Sequence, residues 1–152
     1  MTPAALLAFM RSHRLAVEAS HAADGSPQAA LVGIAVTDAF EIVFDTLEST
    51  RKARNLRADP RVAFVVGPSD DAIGCTVQLE GLADEPVGAD LARIKQAYFA
   101  ATPGGPDRES WTGITYFRVR PTWIRFSDFT CVPPRMVEYT SAELKGGMVV
   151  ES

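Results

Sequence analysis

Apolar and polar positions alternate with a period of two along most of this chain, and three stretches carry helical spacing instead. Leu15, Val17 and Ala19 alternate with Ala16, Glu18 and Ser20, which predicts a strand ending at the turn Asp24-Gly25. A second, Ala-rich strand is expected over Gln28 to Val36, interrupted at Gly33, a residue that inside a strand often marks a bulge or a close approach to the backbone. Thr37 to Phe40 turns the chain into a strand over Ile42 to Asp45, and another strand runs from Val62 to Val66. Gly67 to Asp71 has the composition of a loop. Cys75 to Ala83 resumes as a strand with Val77 and Leu79 on one face and Gln78 and Glu80 on the other. Towards the end, Ile114 to Val119 and Trp123 to Phe126 read as two strands separated by a bend at Pro121.

The helical stretches are a short opening helix from Thr2 or Pro3 through Met10, a basic helix from Thr50 to Ala58 stopped by Asp59-Pro60, and Val87 to Ala101 with Leu91, Ile94 and Tyr98 on one face. Thr102 to Pro106 follows as a loop. The tail from Val132, with Pro133-Pro134 and Gly146-Gly147, is expected to be extended or poorly ordered in part. Short strands in near-sequential order with few helices favour a mainly β fold, an antiparallel barrel or sandwich with flanking helices. A parallel crossover over positions 42 to 66 would suit a doubly wound sheet, but strands and helices do not alternate elsewhere. No repeat or linker divides the chain, so residues 1–152 are expected to form one domain, with its core at about 13–128 and a tail at about 129–152.

Composition narrows the function. A net charge of −4 and a pI near 5.1 argue against nucleic acid as partner, because sequence-independent affinity for it comes from Lys and Arg. No apolar run reaches the length of a membrane span and no signal peptide opens the chain, so a cytoplasmic protein without a membrane partner is expected. Cys75 and Cys131 lack C-x-x-C spacing and read as packed thiols. His13 and His21 have no acidic or cysteine partner at ligand spacing, so no metal site is assigned. Phosphate loops, dinucleotide fingerprints and nucleophile elbows are all missing. The paired acids Asp70-Asp71 and Asp84-Glu85 sit at turn-like positions, where solvated carboxylates are usual.

The basic helix breaks a local rule. With Ser49 or Thr50 as N-cap, Arg51 and Lys52 fall in the first turn, where the helix dipole is positive and acids are preferred. Free N–H groups, the hydroxyls of Thr46, Ser49 and Thr50 and two cations together make a phosphate site. A solvated basic face carrying no ligand is the alternative.

Phe44-Asp45-Thr46, Ser49 to Ala53, Asn55-Leu56 and Asp59 to Ala63 resemble the FMN-phosphate segment of the pyridoxamine 5'-phosphate oxidase-like flavoproteins, the FMN-binding split-barrel superfamily. Pro27 to Val32, Val77 to Ala83, Phe117 to Pro121 and Ile124 to Phe126 extend the resemblance over roughly residues 13 to 128. It implies an antiparallel Greek-key split β-barrel. It also implies that Thr46, Thr50, Arg51 and Lys52 hold the FMN phosphate, with Ser49 competing for the role of Thr50 because one extra residue separates Thr46 from Arg51. Backbone of Ala30, Leu31, Val32, Phe44 and Asp45 would run along the flavin and ribityl chain. In such proteins FMN lies between two identical subunits, so the resemblance implies a homodimer in which Thr76, Gln78 and Trp123 reach the flavin from the partner chain. Nothing after Phe129 resembles the Arg-Leu-His-type segment that grips pyridoxine phosphate, which argues against that substrate. The implied function is an FMN-dependent oxidoreductase moving electrons or hydride between a reduced nicotinamide or deazaflavin and a small substrate. A non-enzymatic protein that binds or senses FMN or haem is the alternative, and no catalytic side chain is assigned.

Overall fold

A computed structural model describes residues 1–67 and 74–146. The Pro68 to Asp71 part of the expected loop, the acid pair Asp70-Asp71 and the end of the tail lie outside the described residues. Helix α1 (Pro3–Arg11) is capped by Thr2 and carries Pro in its first turn. There follow β1 (Leu15–His21), β2 (Pro27–Gly33), β3 (Ala35–Val36), β4 (Ile42–Leu47), α2 (Arg51–Ala58), β5 (Arg61–Val66) and β6 (Cys75–Asp84). Then come α3 (Gly88–Ala101), α4 (Gly105–Arg108), β7 (Ile114–Asp128), β8 (Arg135–Thr140) and α5 (Ser141–Gly146).

All strand pairs are antiparallel and form one sheet of eight strands in the order β2-β1-β5-β6-β7-β4-β3, with β8 also on β7. β2 and β3 stand at opposite edges of that order, yet Ile34 alone separates them in sequence. The sheet must therefore curl until its edges meet, which makes the split barrel. Inside it pack Phe44, Phe64, Phe117, Val77, Leu79 and Ile124, with Phe44 and Phe117 stacked at 5.6 Å between ring centroids. Outside, α3 lays Ile94 and Tyr98 against Val43, Ala35 and Tyr116.

Two expectations need correction, and that for the tail is sharpened. The bend at Pro121 does not end a strand: β7 runs through it, because Pro121 faces Gly81 where the β6–β7 register shifts, and a bulge tolerates a residue that cannot donate a hydrogen bond. At Gly81 an added Cβ would lie 2.5 Å from the Arg120 carbonyl oxygen, so glycine is required there. The tail, expected to be extended or poorly ordered in part, is extended as β8 and helical as α5 up to Gly146, since β4 covers only the first half of β7 and leaves an edge that β8 pairs. Gly105 begins a one-turn helix rather than continuing the loop.

Buried charge ties the layers together. Arg118, on β7 with its side chain 4% exposed, donates to Asp84 at 2.9 and 2.6 Å and to Asp90 at 2.7 Å, and lies 3.8 Å from Glu41. Arg93 of α3 bonds the same Glu41 at 3.0 Å, which locks α3 to the turn before β4.

Candidate functional site at the start of helix α2

Thr50, not Ser49, caps α2. Its Oγ1 accepts from the Ala53 N–H at 3.3 Å, donates to the Leu47 carbonyl at 2.9 Å and stands 3.0 Å from Thr46 Oγ1. Ser49 is exposed in the preceding turn. The first turn holds no acidic residue. Of the cations on and just past α2, Arg57 is held by Glu85 and Glu48 and Arg61 by Asp59, whereas Arg51, Lys52 and, one turn on, Arg54 hold no ion pair among the described residues.

The helix is fastened by its other side chains. Buried Asn55 donates to Gln28 Oε1 at 2.7 Å and Ser20 Oγ at 3.2 Å, reaching β2 and β1 at once. Arg57 bonds Glu85 through two nitrogens at 2.9 and 2.7 Å, and it draws the Glu85 carboxyl below its ordinary range. His21 Nε2 lies 2.9 Å from Asp59 Oδ2, just past the helix. Hydrogen bonding to the Ala22 carbonyl and then to Asp59 raises the imidazole above its usual value, while Asp59 is depressed chiefly by Arg61. These ties fix the direction in which the first turn points.

It points over a cleft of about 290 Å³ lined by Glu18, Ser20, Gln28, Ala29, Ala30, Arg51 and Lys52. The strand facing it is turned against its own hydrophobicity: Leu15 and Val17 are exposed, while Ala16, Glu18 and Ser20 are buried. Glu18 is 1% exposed, and its Oε1 has no hydrogen-bond partner among the described residues. Burial pushes its carboxyl above the ordinary range, with Ser20 and Lys52 pulling the other way.

The residues assigned from sequence fall into two groups. Ala30, Thr46, Thr50, Arg51 and Lys52 gather at the α2 end of the barrel, with Val32 buried beside them in β2. Phe44 and Asp45 adjoin Thr46 in β4, but their side chains point elsewhere: Phe44 is in the core, and Asp45 Oδ2 accepts from Arg108 at 2.8 Å. That arrangement leaves only their backbone for a ligand. Asp45 and burial together push Tyr98 up to about 12, burial being the larger effect. The second group, Thr76, Gln78 and Trp123, lies on the outer face of β6 and β7, as does exposed Leu31 on β2. There Gln78 accepts from Arg125 at 2.8 Å, the Arg125 guanidinium sits 5.5 Å from the Trp123 ring, and Trp123 donates to Glu138 of β8 at 3.3 Å. One chain does not bring the two groups together. Among the described residues no cluster of His, Cys, Asp and Glu could hold a metal ion, and no helix is long and apolar enough to cross a membrane.

Sequence reasoning gave no role to Glu18, Ser20, Gln28 or Asn55. The available signal was the polar pair Glu18 and Ser20, two apart on one strand face, with an asparagine one turn beyond Arg51 and Lys52.

The sequence model of pyridoxamine 5'-phosphate oxidase matches residues 2–128, a span that ends before β8. No curated protein matches the chain. Among solved structures, a haem-binding protein from Mycobacterium smegmatis is 21% identical with a TM-score of 0.79, and the match covers 94% of this chain but only 60% of that one. The haem storage protein HutZ from Vibrio cholerae is 12% identical with a TM-score of 0.70, covering 92% of this chain and 95% of its own. An FAD-binding protein from Mesorhizobium loti is 18% identical with a TM-score of 0.65, covering 83% and 94%. At these identities the likeness is one of fold.

Proposed function

The chain belongs to the pyridoxamine 5'-phosphate oxidase family, and from that premise we propose that it binds FMN with the phosphate on the first turn of α2 and acts as an FMN-dependent oxidoreductase. The observation that carries the proposal is the pair Arg51 and Lys52, placed where a helix repels cations, without ion-pair partners among the described residues and beside the Thr46 and Thr50 hydroxyls. An anion of two negative charges relieves that repulsion, satisfies the free N–H groups and accepts from both side chains.

Size gives a second support. The cleft is about 290 Å³, at the lower limit of pockets that enclose a whole small molecule, so it suits the phosphate and ribityl end and leaves the ring needing another wall. A partner subunit would supply that wall. Val17 pairs across strands with Leu31 and Val65, and all three are exposed on the outer face that also carries Gln78 and Trp123. Covering the exposed part of these apolar side chains is worth about 0.5–2 kcal/mol each, so this row favours a homodimer.

When bound, the flavin supplies the redox chemistry between a reduced nicotinamide or deazaflavin and a small substrate. The protein's part is to hold and orient it: Arg51, Lys52, Thr46 and Thr50 at the phosphate, and backbone of Ala30 to Val32 and Phe44 to Asp45 along the chain and ring. The second reading, a non-enzymatic protein that binds FMN or haem, draws on the names of two structural neighbours. Haem is the weaker ligand here because neither histidine lines the α2 cleft: His21 is turned to Asp59 and His13 to the Phe9 carbonyl. The absorption spectrum of the purified protein, then titration with FMN and with haem, separates these readings. Flavin bands that bleach with NADPH or reduced deazaflavin are expected; a flavin inert to every donor would favour storage, and no uptake of FMN would overturn the proposal.

A further inference from the structure

Glu18 is hard to explain as part of the core. It sits mid-strand on β1, paired with Ala30 of β2 and Phe64 of β5, and it is almost wholly excluded from solvent. A buried carboxyl kept for stability is normally satisfied by partners, because an unpaired polar group in a low dielectric is expensive. Here Oε1 has none among the described residues, and the side chain lines the same cleft as Arg51 and Lys52. The charges facing it come from α2 alone, as Lys52 and Arg51. β2 contributes Gln28, Ala29 and Ala30, β1 contributes Ser20, and β5 contributes Phe64, none of which titrates near neutrality. His21 lies on the opposite face of β1.

An ionised Glu18 would repel the anion that Arg51 and Lys52 attract and would draw Lys52 to itself. A neutral Glu18 has one O–H to donate, and from Oε1 it meets no acceptor among the described residues, Ser20 being the side chain that hydrogen-bonds the carboxyl. We propose, resting on the assignment of this cleft as the anion site, that Glu18 acts as a neutral acid whose O–H donates a hydrogen bond to the phosphate-bearing ligand held by Arg51 and Lys52. It is a ligand-binding and selectivity residue and takes no part in electron transfer. Burial pushes the Glu18 carboxyl up, and a bound dianion nearby would push it further, so ligand and proton bind together. Above the titration of Glu18 in the free protein, binding then takes up as much as one proton, and affinity falls by up to about tenfold per pH unit.

The test measures FMN and inorganic phosphate affinity from about pH 5 to about pH 9, between the ordinary ranges of carboxylates and lysine. Wild type, Glu18→Gln, which keeps a neutral donor, and Glu18→Met, which removes it, are compared. Comparison with Glu18→Gln cancels the titration of the phosphate itself. At the acid end wild type and Glu18→Gln should bind alike and Glu18→Met about tenfold or more weakly, as expected for a bond to a charged acceptor. With rising pH wild type should weaken relative to Glu18→Gln; if the two run together while Glu18→Met stays weaker, Glu18 is neutral throughout and the proposal still holds. Glu18→Met as tight as wild type at the acid end, or wild type gaining on Glu18→Gln as pH rises, would overturn it. Failure of both probes to bind any of the proteins would overturn the anion site itself, and this inference with it. Should the variants not fold, calorimetry of wild-type FMN binding in two buffers of different ionisation enthalpy still decides the matter: uptake of protons beyond that of the phosphate supports the O–H, and release refutes it.

Discussion

Replacing Arg51 and Lys52 together by alanine should move two observables in opposite directions. In the proposed FMN complex each side chain would give a charge-assisted hydrogen bond worth about 1.5–3 kcal/mol, and because adjacent contacts couple, the sum is at most about 3–6 kcal/mol. At about 1.4 kcal/mol per decade this weakens FMN by roughly a hundredfold to ten-thousandfold. The unliganded protein should respond the other way. Arg51 is exposed, Lys52 is half-buried, and neither holds an ion pair among the described residues. Both oppose the helix dipole, by about 0.3–1 kcal/mol each, and alanine is the better helix former. The anchors of α2 at Asn55, Arg57 and the Thr50 cap are untouched. The melting temperature without ligand should therefore stay level or rise, by about 2–4 °C per kcal/mol gained. Flavin fluorescence titration reads the affinity, and thermal melts with and without FMN read the stability. An affinity within about threefold of wild type would refute the phosphate assignment. A clear drop in unliganded stability would instead show that Lys52 balances an ionised Glu18, contrary to the neutral acid proposed.

Gly81→Ala places a Cβ 2.5 Å from the Arg120 carbonyl oxygen and 2.8 Å from Val119 Cγ1, so denaturant unfolding should show a loss of about 1–3 kcal/mol; an unchanged midpoint would mean that the bulge relaxes freely. Arg118→Ala strips Asp84, Asp90 and Glu41 of a shared cation and should destabilise by about 3 kcal/mol, the lower end for a broken buried pair because Asp84 and Asp90 are partly exposed, with Arg118→Met recovering part by packing. Leu31→Glu puts a charge in the row shared with Val17, and sedimentation should show a dimer becoming a monomer with weaker FMN binding. A wild type already monomeric at all concentrations would refute the proposed seam.

Most strands were legible because their period is local. Val77 and Leu79 are buried against exposed Gln78 and Glu80, as their alternation requires, and Leu91, Ile94 and Tyr98 line the packed side of α3. Errors arose where a distant strand decided. Pro121 reads as a break until Gly81, forty residues earlier, is seen opposite it to absorb the irregularity. The tail reads only as extended or poorly ordered, and the strand partner of its extended part shows once β7 proves long enough to leave a free edge beyond β4. The candidate anion site was legible in part for a related reason. Its cap and cations are adjacent in sequence, whereas its floor comes from β1 and β2, which no local pattern assigns to the same cleft.

β1 shows why that floor was hidden. A period of two says which residues share a face but leaves open which face is buried, and a shift by one residue exchanges the two. Hydrophobicity would turn Leu15, Val17 and Ala19 inward; the strand instead buries Ala16, Glu18 and Ser20. That choice puts a carboxyl in the dark and three large aliphatic side chains of neighbouring strands in water, both unfavourable for an isolated monomer. Both become favourable under the proposed function, since a phosphate-bearing ligand gives the acid an acceptor and a second subunit covers Val17, Leu31 and Val65. Reversing the strand to relieve either difficulty would remove the cleft floor and the subunit seam at once. On this account ligand affinity and dimer stability are coupled through one strand.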